Sequence, residues 1–279
     1  MSEVYRQKAA PDLPAVPDGR VPDGRVPESR PPDRHRTGPA RGRRLRQWLP
    51  PQHGAWAMLL LPYLVGVVRA GAAWIHLPLL IAWLAGYLLS YYVQLAVKTG
   101  RARRVRSQLV AYGAVAALAG VVVLAVRPGL LLWAPVFAPL LAVNLAHARR
   151  RRDRALVNGL ASAVQSVLVV PVACSAVGRG LGPAWRDAAV LLLYFAGSLL
   201  YVKTMIRERG DGRYLRGSIT FHVLALPVAG RLDPWLVLPF GWFAVRAVLL
   251  PRRPPSIPQV GLLELAGSLL LATVLLVTG

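Results

Sequence analysis

The segment "LLSYYVQLAVKTGRARRVRSQLVAYGAVAALAGVVVLAV", residues 88–126, decides what kind of protein this is. An apolar run ends at Lys98, a loop with five Lys and Arg follows, and a second apolar run starts at once. That second run, 107–126, is twenty residues without a charge. About twenty apolar residues in a helix span the hydrocarbon core of a bilayer. A soluble helix would show a polar face, and this one shows none.

The pattern recurs along the whole chain. Hydrophobic residues make up 55% of the 279 and charged residues only 16%, too apolar for an ordinary soluble domain. Nine helices are expected, over 53–69, 74–97, 107–126, 130–147, 155–177, 187–205, 217–230, 234–250 and 259–278, the seventh being the shortest. The fold class is therefore all-α, a polytopic membrane helix bundle. Alternate helix ends carry 21 and 5 Lys and Arg. Cytoplasmic ends are the basic ones, so the amino terminus is expected inside and the carboxyl terminus outside.

The net charge of +22 does not point to nucleic acid. The basic residues recur between apolar runs instead of clustering on one face of a soluble module, so membrane lipids are the expected partners. Residues 1–46 hold the repeat VPDGR, VPDGR, VPESR and few large apolar side chains. This is expected to be a disordered cytoplasmic tail, and its polarity is not that of a secretory signal peptide. The transmembrane domain is 47–279. The single Cys174 lies in an apolar run and is expected to be buried and inert.

Polar side chains gather on the basic ends of the helices. His53 and Trp56 open the first helix. Tyr87, Tyr91, Gln94 and Lys98 form one stripe on the second, at spacings of four, three and four. Asn144 and His147 close the fourth helix, and Asn158, Ser162 and Gln165 open the fifth. Tyr201, Lys203, Arg207, Glu208 and Asp211 end the sixth, and His222 lies in the seventh. The other halves read as oily, with Tyr63, Cys174, Ser175 and Thr273. Polar groups in a bilayer need partners or water. A shared, cytoplasm-facing pocket satisfies these stripes together, and pairwise links between helices are the competing explanation. His53, His147 and His222 lack the paired spacing of metal ligands, so no metal is expected. Glu264 and Arg246 both lie inside apolar runs and are expected to pair.

"LLSYYVQLAVKTGRARRVR" and "FAGSLLYVKTMIRERGDGRYLR" both place Val-Lys-Thr at a basic helix end. Membrane folds are often built from repeated halves, and the equivalent position of this shared triplet raises the expectation of two related halves. Lys98 with Arg101, and Lys203 with Arg207, would then offer two cationic clusters to one anion.

"QHGAWAMLLLPYLVG" (52–66) and "YVKTMIRERGD" (201–211) resemble the hallmark segments of the YwiC-like family, bacterial integral membrane proteins. The resemblance covers roughly residues 50 to 250 and implies a multi-pass protein of the bacterial plasma membrane. More distantly, the helix count and the loops after helices two and six resemble the architecture of the UbiA-type intramembrane prenyltransferases. In that family, Asp-rich motifs in these loops hold magnesium on a prenyl diphosphate. Here Gln94 and Lys98 stand at the first place, and Glu208 and Asp211 among arginines at the second. The resemblance therefore does not carry magnesium over. What remains is direct binding of an anion by Lys and Arg. The expected function is binding or modification of an anionic-headed, lipid-like molecule. A small-molecule transporter and a non-catalytic membrane subunit or assembly factor are the alternatives.

Overall fold

The computed structural model describes residues 48–50, 53–253 and 255–278, with the side chains of His53 and Gly54 excepted. The tail 1–46 lies outside the described residues. The helices are α1 His53–Ala70, α2 His76–Thr99, α3 Arg106–Val126, α4 Ala134–Arg149, α5 Leu156–Val167, α6 Val169–Ala176, α7 Gly182–Val202, α8 Gly212–Leu232, α9 Val237–Leu249 and α10 Ile257–Thr278. α5 and α6 follow each other across Leu168. Pro171 has no N–H to give to the carbonyl of Val167, so the ladder breaks there without ending the rod. The described residues thus form nine rods and no strand. Seven of them are long and apolar enough to cross a membrane. The other two are α1, whose apolar part is the shorter Ala55–Ala70, and α8, whose first turns carry Arg213 and Arg216.

Local chemistry sets the helix limits. Gly100, with φ of +66°, closes α2 in the left-handed conformation that glycine adopts without a Cβ clash. Asp211 opens α8 by accepting the Arg213 N–H at 2.7 Å. α8 is therefore 21 residues long, which corrects the short seventh helix expected over 217–230. α7 begins at Gly182, with Pro183 in its first turn, five residues before the expected start.

The centre of the bundle is α1, α5–α6 and α7, against which α8, α9 and α10 pack through Leu191, Phe195, Phe240, Phe243 and Leu271. α2 and α3 join through Leu79 and Val123 against Val169 and Val172. α1 crosses α6 at Gly66, where a Cβ would lie 3.0 Å from the Val170 Cα and from the Ala173 Cβ. Small residues at a crossing let helix backbones approach in lipid. On the outside, Val110, Leu118, Val121, Leu132, Leu262 and Leu269 are exposed, an apolar coat suited to acyl chains and unsuited to water.

Candidate functional site

Contacts divide the polar groups between two ends of the bundle and one interior cluster. At the basic end, the loop between α4 and α5 is the meeting point. Lys98, from the end of α2, pairs with Asp153. Lys203, from the end of α7, donates to the Arg154 carbonyl and to Glu208 Oε1, each at 3.3 Å, and lies 5.2 Å from the centre of the Tyr214 ring. Asn158 donates to the Asp153 carbonyl at 2.8 Å. The two lysines of the Val-Lys-Thr echo therefore hold adjacent residues of one loop. A π-turn, Lys203–Arg207, shapes the second of these places, and its backbone bond from Glu208 N to the Lys203 carbonyl is 2.8 Å. Single π-turns of this kind recur at functional positions.

A cavity of about 500 Å³ opens beside this loop. Its walls are Leu95, Lys98, Thr99, Arg101, Arg104, Val105 and Arg151. Arg151 has a φ of +55°, a conformation uncommon for a residue with a side chain. Within the described residues, Lys98 is the one cation of the four with an acidic partner. Of the residues the sequence singles out, Lys98 and Arg101 line this cavity and the others do not.

The remaining predicted residues are placed as follows. Asn144 donates to Ser162 Oγ and to Gln165 Oε1, at 3.1 and 3.2 Å, linking α4 to α5. Tyr91 meets Tyr92 edge-on, and Tyr92 stacks on Tyr112. Gln94 bonds to Ser90 of its own helix and His147 to the Val143 carbonyl of its own. Trp56 is half-buried on α1, Arg207 is exposed, and Asp211 serves as the helix cap. The side chain of His53 lies outside the described residues.

Tyr201 and His222 belong to a different place, the interior of α7–α10. Arg246 is 0% exposed, with its guanidinium 4.6 Å from the Tyr201 ring centre and 4.8 Å from that of Phe243. Its Nη1 lies 2.8 Å from Glu264 Oε1, yet neither atom is aligned for a hydrogen bond. The expected Arg246–Glu264 pair is present as a close ion pair in which the aromatic rings, and not a bidentate fork, hold the cation. Ser198 donates to Glu264 Oε2. Tyr194 donates to the Glu264 carbonyl at 2.9 Å and shares a 2.8 Å bond with Ser268.

The end opposite the basic one is not oily, which corrects the reading of the sequence. Arg69 of α1 pairs with the fully buried Asp187 of α7 and donates to the Leu275 carbonyl of α10 at 2.8 Å. Arg186 joins Asp187 at 3.3 Å and Asp233 at 3.8 Å. His76 is buried, with Nε2 3.1 Å from the Ala173 carbonyl. The early start of α7 places Asp187 in its second turn, whereas the expected helix began at Asp187 itself. A second cavity here, about 610 Å³, is lined by Arg186, Asp233, Trp235 and the last turns of α10. It is the larger of the two, but its charged walls are already paired to each other.

Asp153 and Glu208 each rest on a lysine. No group of three His, Cys, Asp or Glu able to hold a metal occurs among the described residues. With Asp153 and Glu208 paired to lysines and Asp211 serving as a helix cap, these carboxylates are already engaged and do not stand together to hold magnesium on a diphosphate.

Comparison with known proteins gives one consistent result. The family model described as YwiC-like protein matches residues 49–174. An uncharacterized protein YwiC of Bacillus subtilis is 32% identical over 228 residues, covering 80% of this chain and 95% of the relative. An uncharacterized protein of Haemophilus influenzae is 32% identical over 227 residues, covering 77% of this chain and 91% of the relative. No solved structure matches, so the prenyltransferase-like architecture gains no support from that comparison.

Proposed function

Because the chain belongs to the YwiC-like family, whose two relatives here are themselves uncharacterized, we propose its function from its own geometry: it is a multi-pass protein of the bacterial plasma membrane that binds an anionic-headed amphiphile at its basic, cytoplasmic end. All nine rods cross the bilayer in this reading, with the amino terminus inside and the carboxyl terminus outside, following the bias of basic residues between the two ends.

The observation that carries the reading is the basic cavity. Arg101, Arg104 and Arg151 converge on about 500 Å³ without an internal counter-ion among the described residues. Cations gathered without carboxylates suit an external anion, and the guanidinium fork suits phosphate oxygens. Leu95 and Val105 line the same cavity, and Val97 of α2 and Val110 of α3 are exposed, apolar surface for a tail. The amphiphile's head would sit on the arginines while its tail stays among the acyl chains. The larger cavity at the opposite end lacks this charge imbalance.

The test is binding of a fluorescent polyprenyl phosphate to the purified full-length protein in nanodiscs of zwitterionic lipid. Replacing Arg101, Arg104 and Arg151 together by Ala is expected to weaken binding at least tenfold, about what losing one charge-assisted bond would do. Unchanged binding rejects the reading. A transporter is the second reading. The ion pairs of Arg69, Arg186, Asp187 and Asp233 favour it, because they place polarity at both ends of the bundle. Uptake of a phosphorylated small molecule into proteoliposomes separates the two.

A further inference from the structure

We propose that Glu264 is an intramembrane proton-binding site, built so that its surroundings accept either protonation state while Arg246 stays fixed beside it. This does not rest on the basic cavity, and nothing in that cavity is needed for it.

Glu264 lies in the third turn of α10 and is the one charged residue of that helix, and its side chain is 16% exposed. Arg246 next to it is fully buried. An ionisable side chain inside a membrane span is costly, and such residues mark ion and proton pathways. A permanent structural pair would be expected to show an aligned fork, with the guanidinium giving two parallel bonds to the carboxylate. Here Nη1 of Arg246 approaches Glu264 Oε1 to 2.8 Å, a single contact and not two, and neither these atoms nor Arg246 Nε and Nη2 are aligned for a hydrogen bond.

The carboxylate is instead held through Oε2 by the Ser198 hydroxyl, with the Tyr194 hydroxyl 3.5 Å away. A hydroxyl both donates and accepts. If the carboxyl gains a proton, Ser198 can turn from donor to acceptor without moving its oxygen. A guanidinium holding both carboxylate oxygens could not do this, since it only donates. The cation, in turn, keeps the faces of Tyr201 and Phe243 when the carboxylate is neutral. Cation–π attraction does not depend on the counter-ion. The two partners are thus anchored separately, which lets one change charge while the other stays in place.

Further buried polar groups lie on α7 and α8 toward the basic end. A Cβ on Gly197 of α7 would lie 3.0 Å from His222 Nε2 of α8. These helices run antiparallel, so one turn further toward the basic end brings Tyr201 level with Ser218. The Tyr201 hydroxyl and Ser218 Oγ are both buried and unpartnered. Buried polar atoms are rarely left unsatisfied, and these two hydroxyls can each donate and accept a proton in a hydrogen bond. The titratable and charged groups around Glu264 are Tyr194 and Tyr201 from α7, His222 from α8 and Arg246 from α9. From α1, Tyr63 and Arg69 are engaged with His76 and Asp187 at the opposite end.

The test uses dicyclohexylcarbodiimide, an apolar reagent that modifies protonated carboxyls within membranes. The full-length protein in its native membrane is treated, and adducts are mapped by peptide mass spectrometry. Glu264 is expected to be modified, increasingly as the pH falls, and to resist a water-soluble carbodiimide. Glu264→Gln is expected to remove the adduct. Arg246→Gln is expected to raise it about tenfold at a fixed pH, because the neighbouring cation that attracts the charged carboxylate is gone. Arg246→Lys keeps the charge and is expected to label like the parent protein. If Arg246→Gln does not fold, the pH dependence of the parent protein and the lysine variant decide the matter. Absence of any Glu264 adduct on the folded parent protein at every pH tested overturns the proposal, as does equal labelling by the water-soluble reagent.

Discussion

The two ends of the bundle handle positive charge in opposite ways. At one end, Arg69 and Arg186 are met by Asp187 and Asp233, and Arg69 also reaches a backbone carbonyl of α10. That network is neutral, inward-facing and tied to four separate parts of the chain. At the other end, Arg101, Arg104 and Arg151 stand exposed around a cavity with no carboxylate of their own among the described residues. Charge matched within the protein fastens helices together. Charge left unmatched at a membrane surface attracts something from outside. The difference lies in the sequence distance of the partners: Asp187 is 118 residues from Arg69, so only the fold joins them.

The sharpest way to break this comparison is Asp187→Asn. It leaves Arg69 and Arg186 without their shared carboxylate, and removing one member of a buried pair costs about 3–5 kcal/mol. A large fall in the unfolding temperature in detergent is expected, with the basic cavity unaltered in binding while the protein is folded. If the variant is as stable as the parent, the network is not a fastening.

The echoed lysines give a graded version of the same test. Lys203 is buried, holds the Arg154 carbonyl and pairs with Glu208. Lys203→Met is expected to cost about 1–2 kcal/mol, mostly through the lost loop contact. Lys98 is about two-fifths exposed and its partner Asp153 about one-third, so solvent weakens the pair. Lys98→Met is expected to cost about 0–1 kcal/mol. Equal losses from the two would mean that the loop is held symmetrically, and that exposure does not decide.

Much of this architecture is visible in the sequence, and the exceptions have physical causes. Apolar runs of membrane length mark the helices because lipid admits few alternatives. α8 runs longer than its hydropathy suggests because Asp211 caps a turn whose arginines face out. Gly182 and Pro183 resemble a loop, yet proline is at home in a first helical turn. The extra turn carries Asp187 into the helix, where Arg69 and Arg186 meet it. Arg246 and Glu264 were legible as a pair because each is isolated in an apolar run. Periodicity also placed Gln94 and Lys98 on one face of α2, but it does not reveal what a face meets. Gln94 turns back to Ser90 on its own helix, while Lys98 crosses to Asp153. The Val-Lys-Thr echo singles out the two helix ends that carry Lys98 and Lys203. That both lysines converge on residues 153 and 154 could be learned only from the packing.

The smallest expected effect on stability falls on the residues given the largest role in binding. Arg101, Arg104 and Arg151 are exposed and make no ion pair among the described residues. Surface changes away from specific contacts stay within about 0.5 kcal/mol, so replacing all three by Ala should leave the unfolding temperature almost unchanged. Like charges crowded around one cavity repel each other, and their removal could even stabilise the fold slightly. Binding of vesicles rich in anionic lipid, in contrast, should fall and lose part of its salt dependence, since each basic residue near such a surface contributes about 1 kcal/mol. A salt titration separates the two contributions: exposed charges are screened over about 10 Å at 0.1 M, whereas Arg69–Asp187 is shielded from the ions. High salt should therefore imitate the triple variant in binding and leave the unfolding temperature of the parent protein where it was. A parent protein that loses stability in salt as steeply as it loses lipid would show that both ends of the bundle depend on solvent-accessible charge, and the contrast between them would be gone.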